Sequence, residues 1–330
     1  MERCGTVPKK EIGFSIDYGH SVTVMPMSQF APWAEKLGYD GITMGGSGMA
    51  GAGIDPIVTL SQAAAVTDHL LLSTSVFLLS FLHPLVLGQQ VATLDFLSGG
   101  RVILGVGVGG ERPQQFKNLG IPLEDRGVRA NESIEVLKGL WTQPSLTYNG
   151  RVFQIENVKL EVKPARKPHP LIWVGGRLGG IQTGLDGSQK FKSRTAAMRR
   201  AAKYGDGWFP YLTDAPAYGT SVQQIKEYGR EYGRDLEDGS FTWAHNLFCA
   251  VGDDHDEALA NAAAGNNFGQ GRVEFSERYD IAGTPEECIR QLREYVDVGV
   301  SHFILKPYFP PDGVLQQVER FAKEVVPYFK

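Results

Sequence analysis

Two glycine clusters carry the residue types best suited to hold a ligand. Gly105-Val106-Gly107-Val108-Gly109-Gly110 has Gly-x-Gly-x-x-Gly spacing over Gly105, Gly107 and Gly110, which a dinucleotide-binding turn also uses. Glu111-Arg112-Pro113 follows at once, with no helix evident there, and no acidic residue ends a second strand about 20 residues on, so a dinucleotide turn is disfavoured. Small residues on a strand instead let a planar ring lie against bare backbone, or let two elements pack closely. The second cluster is Gly175-Gly176, with Ser193-Arg194-Thr195 opening a helical segment soon after. Exposed backbone N–H groups and a helix N-terminus attract anions. Thr195 is placed to cap that helix and touch a phosphate, although a plain glycine turn and a plain N-cap read equally well. His20 follows the first strand-like segment, where it lines a site mouth or sits in a solvated loop.

Other chemistries lack their residues. The histidines at 20, 69, 83, 169, 245, 255 and 302 form no ligand pair at helical spacing, so no metal site is expected. No Gly-x-x-x-x-Gly-Lys-Ser/Thr loop and no Gly-x-Ser-x-Gly elbow occurs. Cys4, Cys249 and Cys288 are widely spaced and odd in number, which suits buried hydrophobes better than disulfides. A net charge of −4 offers no basic face for nucleic acid. The N-terminal MERCGTVPKKEIGFS has no apolar signal core, and the apolar stretch near Leu70–Leu87 is broken by His83-Pro84. A cytoplasmic protein without membrane or nucleic-acid partners is expected.

The elements that must position these residues alternate. Strand-like segments are expected at 11–17, 41–44, 71–79, 101–108, 171–176, 207–211, 243–252 and 302–307. Helices fall near Ser28–Leu37 (Ser28 as N-cap), after Asp55-Pro56, at Pro84–Leu97, Arg126–Trp141, Thr195–Tyr204 and 215–233, then after Asp253, at Pro285–Val298 and at Val314–Phe329. Asn149-Gly150 within 146–162 marks an inserted β-hairpin. Eight short, mostly apolar strands alternating with helices are the count of a (β/α)8 TIM barrel spanning 1–330 as one domain, with an open doubly wound sheet as the alternative. In a barrel the chemistry sits at the strand C-termini. The chain has 40 glycines where usage of about 7% predicts roughly 23, and many of them fall there.

Several of these stretches resemble the bacterial luciferase-like flavin and deazaflavin oxidoreductases: LDFLSGGRVILGVGVGGE (94–111), FKNLGIPLEDRGVRANESIEVLKGLWT (116–142), TYNGRVF (147–153), PLIWVGG (170–176), AAKYGDGW (201–208) and AGTPEECIRQLREYVDVGVSHFIL (282–305). The resemblance covers nearly the whole chain. It implies a (β/α)8 barrel with an insertion after the fourth strand's helix and a tricyclic redox cofactor at the C-terminal mouth. Thr74-Ser75-Val76 resembles the strand-three segment of the coenzyme F420 branch, which implies a cis Ser75–Val76 peptide behind the ring. Gly107 and Gly109 would then make room for the ring. Gly175, Gly176 and Thr195 would meet a phosphate, and Asp17 would line the ring face with His20 beyond it.

Two departures stand out. The family often ends strand two in a Ser/Asp–His pair, whereas this chain reads Met44-Gly45-Gly46-Ser47, leaving Glu111 and His20 as candidate proton carriers. A longer loop, 176–193, carries Arg177, Lys190 and Lys192 and reads as a lid over an anionic tail or as a solvated insertion. The resemblance implies F420-dependent hydride transfer at the deazaflavin C5 to or from a small organic substrate. The alternatives are an FMN-dependent monooxygenase using reduced flavin and oxygen, fed by a partner flavin reductase, and a barrel retained only for binding. A homodimer is the expected assembly, and Phe77, Phe81, Trp208, Tyr211 and Tyr308 suggest an apolar mouth unless they simply pack.

Overall fold

The computed structural model describes residues 12–19, 23–46, 53–177, 181–183, 189–191, 195–265, 269–307 and 313–330. Eight strands line its centre: β1 (Gly13–Asp17), β2 (Gly41–Met44), β3 (Leu71–Thr74), β4 (Val102–Gly107), β5 (Leu171–Arg177), β6 (Gly207–Tyr211), β7 (Thr242–Val251) and β8 (His302–Pro307). They pair in parallel in the order β6-β5-β4-β3-β2-β1-β8-β7, and β7 returns to β6 through Gly207–Thr242 and Tyr211–Asn246. The sheet therefore closes, and the barrel alternative holds over the open sheet. Helices α1 (Met27–Lys36), α2 (Pro56–Ala64), α3 (Pro84–Leu97), α4 (Arg126–Thr142), α5 (Thr195–Tyr204), α6 (Ala215–Glu231), α7 (Pro285–Asp297) and α8 (Val314–Arg320) cover it.

Local chemistry fixes several helix starts. Asp55 Oδ1 accepts from Val58 N at 3.0 Å ahead of Pro56, and Thr284 forms a reciprocal capping box with Glu287. Helix α1 starts one residue earlier than expected, behind Pro26 and without a side-chain cap, so Ser28 is not its N-cap. A short helix, Pro113–Asn118, follows Glu111-Arg112 where none was expected, begun by a proline whose missing N–H costs nothing at a first turn. The closing helix is not continuous to Phe329: a wider turn occupies Phe321–Val325 and a tighter one Val326–Tyr328, where Pro327 supplies no donor.

The inserted hairpin is present as Leu146–Asn149 paired antiparallel with Gln154–Val158. Its connection spans Gly150–Phe153, closed by Gly150 N donating to Phe153 O at 2.9 Å, rather than a two-residue Asn-Gly turn. Glu132 on α4 pins it, accepting from the backbone N–H of Arg151, Val152 and Phe153 at 2.7, 2.9 and 3.0 Å. In the longer loop after β5, Ile181–Thr183 and Gln189–Phe191 form a two-stranded ribbon.

Candidate functional site at the C-terminal mouth

The barrel is filled from its floor upward by side chains that alternate along the strands. At the floor, Ser15 Oγ lies 2.8 Å from His302 Nε2, and the His302 ring meets Trp173 edge-on at 5.1 Å. Above them Ile103, Trp173, Phe209, Ala244 and Ile304 form one buried cluster, with Val76 packed on it. Glycines make this filling possible. A Cβ on Gly207 would stand 2.6 Å from the Trp173 ring, and one on Gly105 would stand 2.8 Å from Phe209. Both are overlaps that real side chains do not make. Burial holds the His302 imidazole down to a pKa of about 4, so the floor is neutral.

The top layer begins where β3 stops. The expected 71–79 strand is interrupted after Thr74, and the peptide between Ser75 and Val76 is cis, as the resemblance implied. The Val76 isopropyl group sits between two bare backbones. A Cβ on Gly107 would lie 2.7 Å from Val76 Cγ2, and one on Gly175 would lie 2.7 Å from Val76 Cγ1. The open faces of these two glycines thus receive a side chain of this protein. Asn246 on β7 donates through Nδ2 to Ser75 Oγ at 3.0 Å; its Oδ1 is buried and has no hydrogen-bond partner among the described residues.

Polar groups ring this platform. Asp17, only 4% exposed at the end of β1, accepts from Thr43 Oγ1 at 2.9 Å and from Gly19 N at 3.0 Å, with Lys306 Nζ 3.7 Å away. On the opposite arc the Tyr211 hydroxyl donates to the exposed Glu111 carboxylate. Beside them, a Cβ on Gly176 would stand 2.8 Å from Ala197, so α5 begins directly against the end of β5. Gly109 is left-handed, φ +70°, under Leu78 and Phe116. At the end of β2 a Cβ on Gly45 would lie 3.0 Å from the Ser75 carbonyl, so a larger residue at that position requires the backbone to give.

The structure brings Asp17, Ser75, Val76, Gly107, Gly109, Glu111, Gly175, Gly176 and Thr195 to one end of the barrel. His20, Tyr308 and Lys192 lie outside the described residues, as do the side chains of Arg177 and Lys190. The expected aromatic mouth is partly core. Trp208 is fully buried on the outside of β6 against Tyr218 of α6, ring centroids 4.9 Å apart, and Phe77 is 1% exposed. Neither Asn246 nor Lys306 is assigned a site role by the sequence, although Lys306 falls at an expected strand end. Both lie two residues beyond apolar members of the barrel cluster, Ala244 and Ile304, and strand alternation from those residues would have pointed them inward. Among the described residues no three His, Cys, Asp or Glu side chains cluster to hold a metal, and no helix is long and apolar enough to cross a membrane.

Comparison with known proteins matches the luciferase-like monooxygenase family over residues 13–181 and 192–302. The chain is 25% identical to an F420-dependent glucose-6-phosphate dehydrogenase of Intrasporangium calvum, over 98% of this chain and 92% of that protein. It is 24% identical to an FMNH(2)-dependent dimethylsulfone monooxygenase of Pseudomonas putida, over 97% of this chain and 89% of that protein. The coenzyme F420 dependent tetrahydromethanopterin reductase of Methanopyrus kandleri superimposes with a TM-score of 0.76 at 18% identity, over 97% of this chain and all of that one.

Proposed function

The chain belongs to the luciferase-like monooxygenase family, an oxidoreductase family whose members here use F420 or FMN, and we propose that this one is an F420-dependent enzyme passing hydride between the cofactor and a small organic substrate. The observation that carries the reading is Val76. An apolar side chain wedged between Gly107 and Gly175 gives a rigid platform at the mouth, and an exposed carboxylate, Glu111, stands on the same rim. The choice of deazaflavin rests on the likeness to the F420-dependent dehydrogenase along 98% of the chain.

The residues fit such a group. The platform suits a flat ring, and the unpartnered Asn246 Oδ1 beside Ser75 is an acceptor lacking its donor. Gly175, Gly176 and the start of α5 at Thr195 offer backbone N–H groups to an anionic tail. When bound, the deazaflavin supplies two-electron hydride chemistry at C5. The chain's own residues orient and exclude water. Asp17, fixed by Thr43 and Gly19, stands beside the Lys306 side chain, and Glu111 takes or gives the accompanying proton with Tyr211 holding its carboxylate. A cytoplasmic homodimer acting without membrane or nucleic acid completes the reading.

The FMN alternative, with a partner reductase delivering reduced flavin, draws support from the dimethylsulfone monooxygenase likeness. Titration of the purified protein with F420 and with FMN separates the two. Saturable F420 binding with FMN indifferent supports hydride transfer. FMN binding with oxygen-dependent turnover overturns it in favour of the monooxygenase, and binding of neither leaves a barrel without this chemistry.

A further inference from the structure

The wall of the mouth opposite the ring platform carries an amino group without a hydrogen-bond acceptor. β8 lies four strands from β4 in either direction round the barrel, so its end stands across the mouth from Gly107. His302, Ile304 and Lys306 alternate inward along β8 from floor to rim. Lys306 Nζ lies 3.7 Å from Asp17 Oδ2, outside hydrogen-bonding distance, and donates to no acceptor among the described residues. Each Asp17 oxygen already takes a shorter bond, Oδ1 from Gly19 N at 3.0 Å and Oδ2 from Thr43 Oγ1 at 2.9 Å. Asp17 is thus held in place without the lysine.

The surroundings of this amino group are apolar. The Lys306 side chain is 15% exposed. Its register partner on β7 is Phe248, buried among Leu212, Tyr211, Phe275 and Tyr279. That cluster runs from the neighbour of Lys306 round to Tyr211, whose hydroxyl holds Glu111. Leu212 joins it through a left-handed backbone, φ +53°, a conformation that costs a branched residue energy and that gathers at ligand sites. An N–H donor in water-poor surroundings gains most from an acceptor, because leaving it unpaired there is costly. Asp17 limits what that acceptor can be. An acidic ligand group on Lys306 would bring a second acid up to Asp17, and two acids sharing one site oppose each other's ionisation. A carbonyl or hydroxyl oxygen carries no such cost.

We propose that Lys306 binds the substrate by donating to a neutral carbonyl or hydroxyl oxygen, and that the substrate is an apolar molecule bearing such an oxygen, not an acid or a phosphate ester. The inference rests on the functional reading above and names its substrate class. It concerns the β8 side of the mouth and asks nothing of the identity of the ring or of its tail.

The test is fluorine NMR titration of the cofactor-loaded protein with three molecules of similar shape: para-fluoroacetophenone, para-fluoroethylbenzene and para-fluorobenzoate. Binding of F420 and of FMN is measured separately by fluorescence, and whichever binds is used for loading. The ketone is expected to bind at least about fivefold tighter than the hydrocarbon, which lacks the oxygen, and than the benzoate. Lys306→Met should bring the ketone to within about twofold of the hydrocarbon while the hydrocarbon keeps its own affinity within about twofold. A lysine serving only to pair with Asp17 would change both ligands alike or neither. Circular dichroism confirms that the variant is folded, and the ranking in the unmodified protein tests the class without a substitution. A ketone no tighter than the hydrocarbon, a benzoate as tight as the ketone, an advantage surviving in Lys306→Met, or binding of none of the three to loaded protein overturns the proposal and leaves the cofactor reading standing. Failure of F420 and FMN alike to bind defeats both.

Discussion

The Tyr211 hydroxyl and the Glu111 carboxylate are hydrogen-bonded although they come from strands that do not touch. Tyr211 ends β6, Glu111 follows β4, and β5 lies between them with Arg177 in register beside Tyr211. The bond therefore bridges the end of β5, where Gly175 packs against Val76 and Gly176 against Ala197. A carboxylate held this way is aimed and cannot sweep through solvent. Glu111→Gln should lower turnover about a hundredfold or more, within the usual range for loss of a general acid or base, and leave cofactor affinity within about threefold. Tyr211→Phe should lower turnover about tenfold, because the acid remains but its aim is lost. The cofactor's absorbance change on reaction, followed beside a binding titration, checks both; a fall in affinity that matches the fall in turnover would assign Glu111 to binding.

Gly107 and Gly175 each meet one methyl of Val76, which makes a steric prediction independent of any ligand. Gly107→Ala brings a methyl to 2.7 Å from Val76 Cγ2 and should destabilise the barrel by about 1–3 kcal/mol, the usual cost of overpacking. In a Val76→Ala background the same change should cost at least about 1 kcal/mol less, since contacting pairs couple. Urea unfolding of the four proteins gives the coupling directly. Additive effects would mean that the glycine faces something other than Val76.

That pair also marks how far the sequence could be read. Strand and helix positions were legible because each apolar run is bounded by local turn and capping chemistry, and β2, β6, β8, α3 and α5 lie where that chemistry puts them. The glycines at 107 and 175 were legible as close approaches. What approaches them was not, because Val76 arrives from another strand. The same limit hid Asn246, 171 positions from Ser75. Trp208 and Phe209 show the cost of reading type without parity. Both are aromatic neighbours within β6, yet only Phe209 faces the barrel interior.

Glu132 predicts the behaviour of the inserted hairpin. Its carboxylate takes three successive backbone N–H groups in the connection between the two hairpin strands, so Glu132→Ala leaves several donors to find water. Destabilisation of about 2–4 kcal/mol is expected from loss of a buried charged acceptor. Amide hydrogen exchange should localise the effect, with Arg151–Phe153 losing protection while Gly207–Tyr211 keeps it. Equal loss at both places would show that the hairpin and barrel unfold together.

Acid should weaken the protein through two histidines before most carboxylates titrate. His245 and His302 are buried, and desolvation lowers both to about 4. His245 is stacked on Tyr218 with its Nε2 2.9 Å from the Thr213 carbonyl, and His302 sits on the barrel floor against Ser15. In the unfolded chain each titrates near its ordinary value of about 6.5. Between those limits the unfolded chain binds more protons than the folded one, so stability is full above the upper limit, falls as pH drops through the window, and levels off below the lower one. A gap of this size corresponds to about 3 kcal/mol for each residue at full extent. Urea midpoints measured from pH 7 to pH 4 should show the decline, and His302→Asn should remove about half of it while lowering stability at pH 7 through the lost packing on Trp173. A pH slope unchanged by that substitution would place the acid sensitivity in the carboxylates instead.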